Sequence, residues 1–184
     1  MSGTDLGSTA SGKTVSSRIA QLFLQLSDDL GVDRDQLITN ADIDPIWLEN
    51  PDTYIPVETL YNLTKQLAKL TGNEDIGLWA GRASFLNQAN LLQYLSAICS
   101  HFRQWLNMMP NTLETVEAIG EAVVVKEGDT LRTEWRPTVP VEVSGRYITD
   151  MMLSMSQCLL NSVCYSTVPV PKVYFNYPEP DDTT

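Results

Sequence analysis

Apolar residues recur at three- and four-residue steps through the first part of the chain and at two-residue steps after Gly120. Val15, Ile19, Leu22, Phe23, Leu26 and Leu30 predict a first helix that begins near Thr14 and is stopped by Gly31. Asp33 can cap a short second helix carrying Leu37 and Ile38, and Asp44-Pro45 opens a brief turn through Ile46, Trp47 and Leu48. The clearest helix follows: Val57, Leu60, Tyr61, Thr64, Leu67 and Ala68 line one side of residues 57–70, and Gly72 lies just past the last turn. A further short helix is expected from about Asn73 to Gly81. "NLLQYLSAICS" fits a strand or a helix equally well, and Ser100 can cap a helix over "HFRQWLNMM" that Pro110 interrupts before "TLETVEAI".

After Gly120 the alternation predicts two strands turning around Glu127-Gly128-Asp129. In the second strand Leu131, Thr133 and Trp135 share one face, and Arg132, Glu134 and Arg136 the other. A long helix is expected from about Val143 to Cys164, with a wide stripe of Ile148, Met151, Met152, Met155, Leu159 and Val163. Val173, Tyr174, Phe175 and Tyr177 have strand character; Pro169 and Pro171 delimit its start, and Pro178 and Pro180 stop it. Helices first, then strand–strand–helix–strand, define an α+β domain whose mainly antiparallel sheet packs on helices. No internal repeat is evident.

Composition narrows the classes. With 184 residues the chain is long enough for one well-buried core. A net charge of −11 repels phosphate backbones and anionic membrane surfaces, so these residues are poor candidates for binding nucleic acid or lipid. No apolar run approaches the roughly 20 residues that span a bilayer, and the polar start "MSGTDLGSTASGKT" lacks the n- and h-regions of a signal peptide. Cys99, Cys158 and Cys164 have no metal-type spacing and fit free thiols in a reducing cytoplasm. The sequon at Asn62 falls within a predicted helix and carries little meaning there.

Chemistry is sparse. His101, the only histidine, has no Cys, His or carboxylate at ligand spacing, so it reads as a structural residue; no zinc or iron site, and no hydrolytic triad, can be argued. "GSTASGKT" at Gly7–Thr14 matches the letters of a phosphate-binding loop, but "MSGTDL" cannot supply the buried strand that must precede one, and a flexible tail is preferred. Asp28-Asp29 and Glu179 to Asp182 are solvated charge rather than an acid–base pair. No cofactor is expected. What remains is an apolar cluster: Met151, Met152 and Met155 on one helix and Met108 and Met109 on another, with Trp105, Trp135 and Tyr147 able to join them. Such adaptable surfaces either line a ligand pocket or fill a core. Arg146 is a candidate carboxylate anchor, or a member of an ordinary surface ion pair.

The order of segments also carries a likeness. Gly31 to Asp33, Pro51-Asp52 with Ile55-Pro56, the helix over 57–70, and Asp75 to Leu78 with Gly81 resemble the start of the N-terminal effector domain of AraC-type bacterial transcription regulators. The hairpin, the long helix, and Pro171, Val173, Phe175 and Pro178 are similar to its later part, so that the likeness covers roughly residues 15–180. One departure is Asn90-Leu91-Leu92-Gln93-Tyr94, where many members have a glycine-rich stretch. The resemblance implies a cytoplasmic sensor that binds a small-molecule effector between helices and sheet, forms a homodimer, and contacts DNA only through a C-terminal helix-turn-helix domain absent from these residues. The Gly/Ser/Thr-rich start is expected to be a disordered tail over 1–13 and the acidic and hydroxyl residues over 181–184 a connector, leaving 14–180 for the one effector-binding and dimerisation domain that the resemblance implies. The ligand-binding candidates are Trp105, Met109, Trp135, Arg146, Tyr147, Met151 and Met155. The alternatives are a stand-alone enzyme acting on a hydrophobic substrate, for which no nucleophile or acid–base pair is evident, and a protein–protein interaction module.

Overall fold

The computed structural model of the chain describes residues 12–50, 52–84, 104, 119–128, 130–138, 145–163, 172–175 and 177. Its first element corrects the helical reading of Val15. Thr14–Ser16 is a strand, β1, paired antiparallel with β2, Tyr54–Pro56, in the register Thr14↔Pro56, Val15↔Ile55 and Ser16↔Tyr54. Val15 and Ile55 face each other and are buried, while Thr14 and Tyr54 are exposed. Each strand runs straight into a helix: α1 is Ser17–Asp29 and α4 is Val57–Thr71. Ser17 N–H bonds to the Thr53 carbonyl at 2.9 Å and Val57 N–H to that of Lys13 at 3.0 Å. This small ladder therefore sets the starts of two helices side by side.

The helix ends follow local chemistry. The Ser16 hydroxyl accepts from Arg18 N–H at the start of α1, and the Asp33 carboxylate accepts from Gln36 N–H at 3.0 Å to cap α2, Arg34–Asn40. Pro45 precedes the single turn of α3, Ile46–Glu49. Gly72 ends α4 in the left-handed conformation at φ 64°, which costs a glycine nothing. Asn62 lies inside α4 and donates to the Ala41 carbonyl at 2.9 Å.

The core lies where α1, α2 and α4 meet. Phe23 and Leu24 of α1, Leu37 of α2, and Leu60, Leu63 and Leu67 of α4 are fully buried. Each such side chain stabilises the fold by about 1.5–3 kcal/mol relative to remaining in water.

A fifth helix, α5, covers residues 76–84, and the sixth, α6, is Arg146–Val163. Between them in sequence stands the expected hairpin: β3, Gly120–Glu127, pairs antiparallel with β4, Thr130–Pro137, and the turn passes through Gly128 at φ 62°. The outward face of β4 is a charge ladder, with Glu134 bonded to Arg136 at 2.7 Å and to Arg132 at 2.9 Å. Those bonds hold the Glu134 carboxyl below the usual carboxylate range, the Arg136 hydrogen bond contributing most. On the opposite face Trp135 packs against the core. Tyr61 of α4 reaches the Ile119 carbonyl at 3.1 Å, tying the helical layer to the start of the hairpin.

An α+β fold with antiparallel pairing is therefore present, as two two-stranded sheets among the described residues. The closing strand is a correction: residues 172–175 form no strand. Val173, Tyr174 and Phe175 are exposed, and the flanking prolines remove N–H donors that a ladder would need. Residues 1–11, "NLLQYLSAICS", "TLETVEA", Cys99, His101, Met108, Pro110 and Cys164 lie outside the described residues; Cys158 is a free, half-buried thiol.

Candidate functional site

Helix α6 holds most of the chemistry, and two glycines bring α5 onto it. A Cβ at Gly77 would lie 2.2 Å from the Tyr147 carbonyl oxygen and 2.7 Å from Asp150 Cβ. A Cβ at Gly81 would lie 2.5 Å from the Met151 carbonyl oxygen and 2.6 Å from Ser154 Cβ. Real Cβ atoms do not approach so closely, so the two helices run backbone against side-chain base. Ser154 fastens the seam by donating its hydroxyl to the Leu78 carbonyl at 2.8 Å, and Ser84 meets Met155 Sδ at 3.7 Å. The "DIGLWAG" segment singled out by sequence is thus a helix-packing signature: Ile76 and Ala80 are buried, Trp79 is exposed, and the glycines form the contact.

At the N-terminal end of α6 a polar cluster spans three parts of the chain. Glu74, in the turn before α5, accepts from Arg146 Nη1 at 3.3 Å and from the Tyr147 hydroxyl at 3.0 Å. One turn along α6, Asp150 is only 5% exposed; Arg146 Nε lies 3.5 Å from its Oδ2, and the Tyr177 hydroxyl donates to its Oδ1. The Arg146 guanidinium carbon stands 5.9 Å from the centre of the Tyr177 ring, near enough for a cation–π attraction, and Phe175 packs at 5.0 Å from that ring.

Burial sets the protonation behaviour here. It pushes the Asp150 carboxyl above its ordinary range, against the opposing pull of the Tyr177 hydrogen bond and the Arg146 charge, while Asp75 adds a further upward push. The Tyr147 phenol is pushed up to about 12, first by burial and then by its bond to Glu74. The Tyr177 phenol is raised as well, by burial and by the bond to Asp150. Both phenols keep their protons as donors, and Asp150 is engaged by two partners. The cluster is built to hold geometry.

The sequence-derived candidates divide accordingly. Arg146 and Tyr147 meet at Glu74, and the Arg146 guanidinium is committed to two carboxylates. Met151 and Met155 are buried in the core and border the α5 seam. Trp135 lies over Gly120, where a Cβ would come within 2.3 Å of its ring. Trp105 and Met109 lie outside the described residues. Glu74, Asp150 and Tyr177 escaped the sequence reading, although the Arg146–Asp150 spacing of four on one helix face was available as a signal. Among the described residues three side-chain atoms are buried without a hydrogen-bond partner: Trp135 Nε1 on β4, and Arg146 Nε and Thr149 Oγ1 on α6.

Among the described residues no group of three or more His, Cys, Asp or Glu side chains is arranged to hold a metal ion, and no helix is long and apolar enough to cross a membrane. Residues 31–184 match the family model described as the arabinose-binding domain at the N-terminus of AraC transcription regulators. The chain belongs to this family, and it is a ligand-sensing regulatory domain of that type. No curated protein matches it individually.

Proposed function

We propose that this chain is the effector-binding and dimerisation part of an AraC-type regulator of transcription, which contacts DNA through a helix-turn-helix region outside these 184 residues. The family match over residues 31–184 is the observation that carries this reading. In it, a small molecule is held between α6 and the hairpin, and its preference for one arrangement of the domain shifts the population of dimers able to bind DNA. Trp135, Tyr147, Met151 and Met155, with Trp105 and Met109, line the site. Arg146 borders it as a positioning residue tied to Glu74.

Physical support comes from the buried Trp135 Nε1 and Thr149 Oγ1 atoms. A buried donor or acceptor without a partner costs about 1–3 kcal/mol, and a polar group of an effector bonded to either one recovers part of that cost. The domain has no catalytic role in this reading, and it works in the cytoplasm.

Native mass spectrometry of the purified chain tests both halves of the proposal. The expected spectrum shows a dimer carrying a small molecule that is released on denaturation. A monomer with no adduct, under conditions that also fail to yield binding from a metabolite mixture, contradicts it. Chemical conversion of the bound molecule by the chain would favour the enzyme instead.

A further inference from the structure

Residues 172–175 and 177, which come after α6 in sequence, differ sharply in how much of each is covered. Lys172, Val173, Tyr174 and Phe175 are exposed, so their side chains bury little surface that could hold the segment down. Tyr177 is half-buried, and it reaches back across 27 residues of sequence to donate its hydroxyl to Asp150. Asp150 is also one of the residues that crowd Gly77, its Cβ standing 2.7 Å from where a Gly77 Cβ would be. Arg146, paired with Asp150 and placed beside the Tyr177 ring, is bound in turn to Glu74 at the approach to α5. One buried carboxylate therefore joins α6, the α5 seam and Tyr177.

We infer that Asp150 and Tyr177 form a releasable strap, which holds Tyr177 and residues 172–175 by α6 when closed and frees them when α6 shifts against α5. At Gly77 and Gly81 the two helices touch without intervening side chains, so a displacement of α6 cannot be absorbed by rotamer changes there. It must move Asp150 relative to Glu74, stretch the Arg146 bridge, and alter the angle at which Asp150 meets the Tyr177 hydroxyl. Hydrogen bonds to ionised acceptors are strong and directional, which makes such a clasp sensitive to small shifts. The apolar core around Phe23, Leu24, Leu63 and Leu67 does not include Tyr177, so release is a local event that leaves the domain folded. The strap extends the ligand-sensing reading, but its test needs no ligand and so can fail independently of that reading.

Limited trypsin digestion of the full chain, followed by mass spectrometry, reads the strap at the Lys172–Val173 bond. Removing a charge-assisted hydrogen bond raises the open population by about tenfold or more, so Tyr177→Phe is expected to speed cleavage at this bond by that factor. Cleavage after Arg18 and Lys65, in α1 and α4, is expected to keep its wild-type rate. Asp150→Asn is expected to fall between wild type and Tyr177→Phe, because its amide oxygen still accepts from the hydroxyl. An unchanged rate at Lys172–Val173 in Tyr177→Phe overturns the proposal. Equal acceleration at all three sites also overturns it, since the clasp would then belong to global stability.

Discussion

Replacing Gly77 by alanine sets two physical effects of opposite sign against each other. Helix propensity alone favours alanine over glycine, by about 1 kcal/mol in a helix interior and by less at Gly77, the second residue of α5. Packing opposes it. The new methyl carbon would stand 2.2 Å from the Tyr147 carbonyl oxygen and 3.0 Å from its carbonyl carbon, both backbone atoms, and 2.7 Å from Asp150 Cβ. Ordinary carbon–oxygen contact begins more than about 1 Å farther out, so α5 and α6 must separate by a comparable distance. Overpacking of this kind costs about 1–3 kcal/mol, and more where backbone rather than a side-chain end must move. Separation also pulls Ser154 from the Leu78 carbonyl and Glu74 from Arg146 and Tyr147. The net expectation is a loss of about 2–4 kcal/mol for Gly77→Ala.

Gly81→Ala is expected to cost a similar amount, and the double variant less than the sum, because one separation accommodates both methyl groups. Urea denaturation followed by circular dichroism measures all three. A Gly77→Ala protein more stable than wild type, as propensity alone dictates, would refute the packing argument.

Two further outcomes follow from single contacts. Burial raises the Asp150 carboxyl pKa in the folded state above its unfolded value. The native state therefore binds the proton more tightly, and this group's stabilising contribution is lost as pH rises through the folded pKa. Asp150 is faced by Arg146 and Tyr177, with Asp75 and, through Arg146, Glu74 nearby. Asp150→Asn removes the titration, so the Tm of the variant relative to wild type is expected to climb from about pH 4 towards neutrality, and a difference that stays constant or falls contradicts this. Tyr61→Phe is expected to cost only about 0.5–1.5 kcal/mol in urea unfolding, because the Ile119 carbonyl keeps the Thr138 N–H at 3.0 Å when the hydroxyl is removed. A loss well above that would mean that the hydroxyl does more than satisfy this carbonyl.

Much of the helical layer was readable because its signals are local. The Val57 helix was placed within a residue of its observed end, since a 3.6-residue apolar stripe and a glycine beyond it act over the same short span. The hairpin was readable for the same reason: alternation and Gly128 are neighbours in sequence. β1 was not. A strand of three residues has one inward position, and Val15 falls in step with Ile19 and Leu22, so only pairing with the distant Ile55 reveals it. Strand-forming composition misled at Val173 to Phe175, where the side chains stay in water. Around the start of α6, residue type singled out Arg146, Tyr147 and the methionines as candidates but gave no sign of Glu74 or Tyr177 beside them, whose contacts cross 72 and 27 residues respectively. Asp150 stands four residues from Arg146 on one helix face, a local signal, but its burial and its bond to Tyr177 appear only in the folded chain.

The most direct trial of the sensing role is methyl NMR on the chain labelled at its six methionines. Spectra are recorded as purified, and again after unfolding, dialysis and refolding have stripped any small molecule. If α6 carries the effector site, the Met151 and Met155 methyl signals shift between the two states while the fold is retained. Superimposable spectra, or shifts confined to the other methionines, would contradict it.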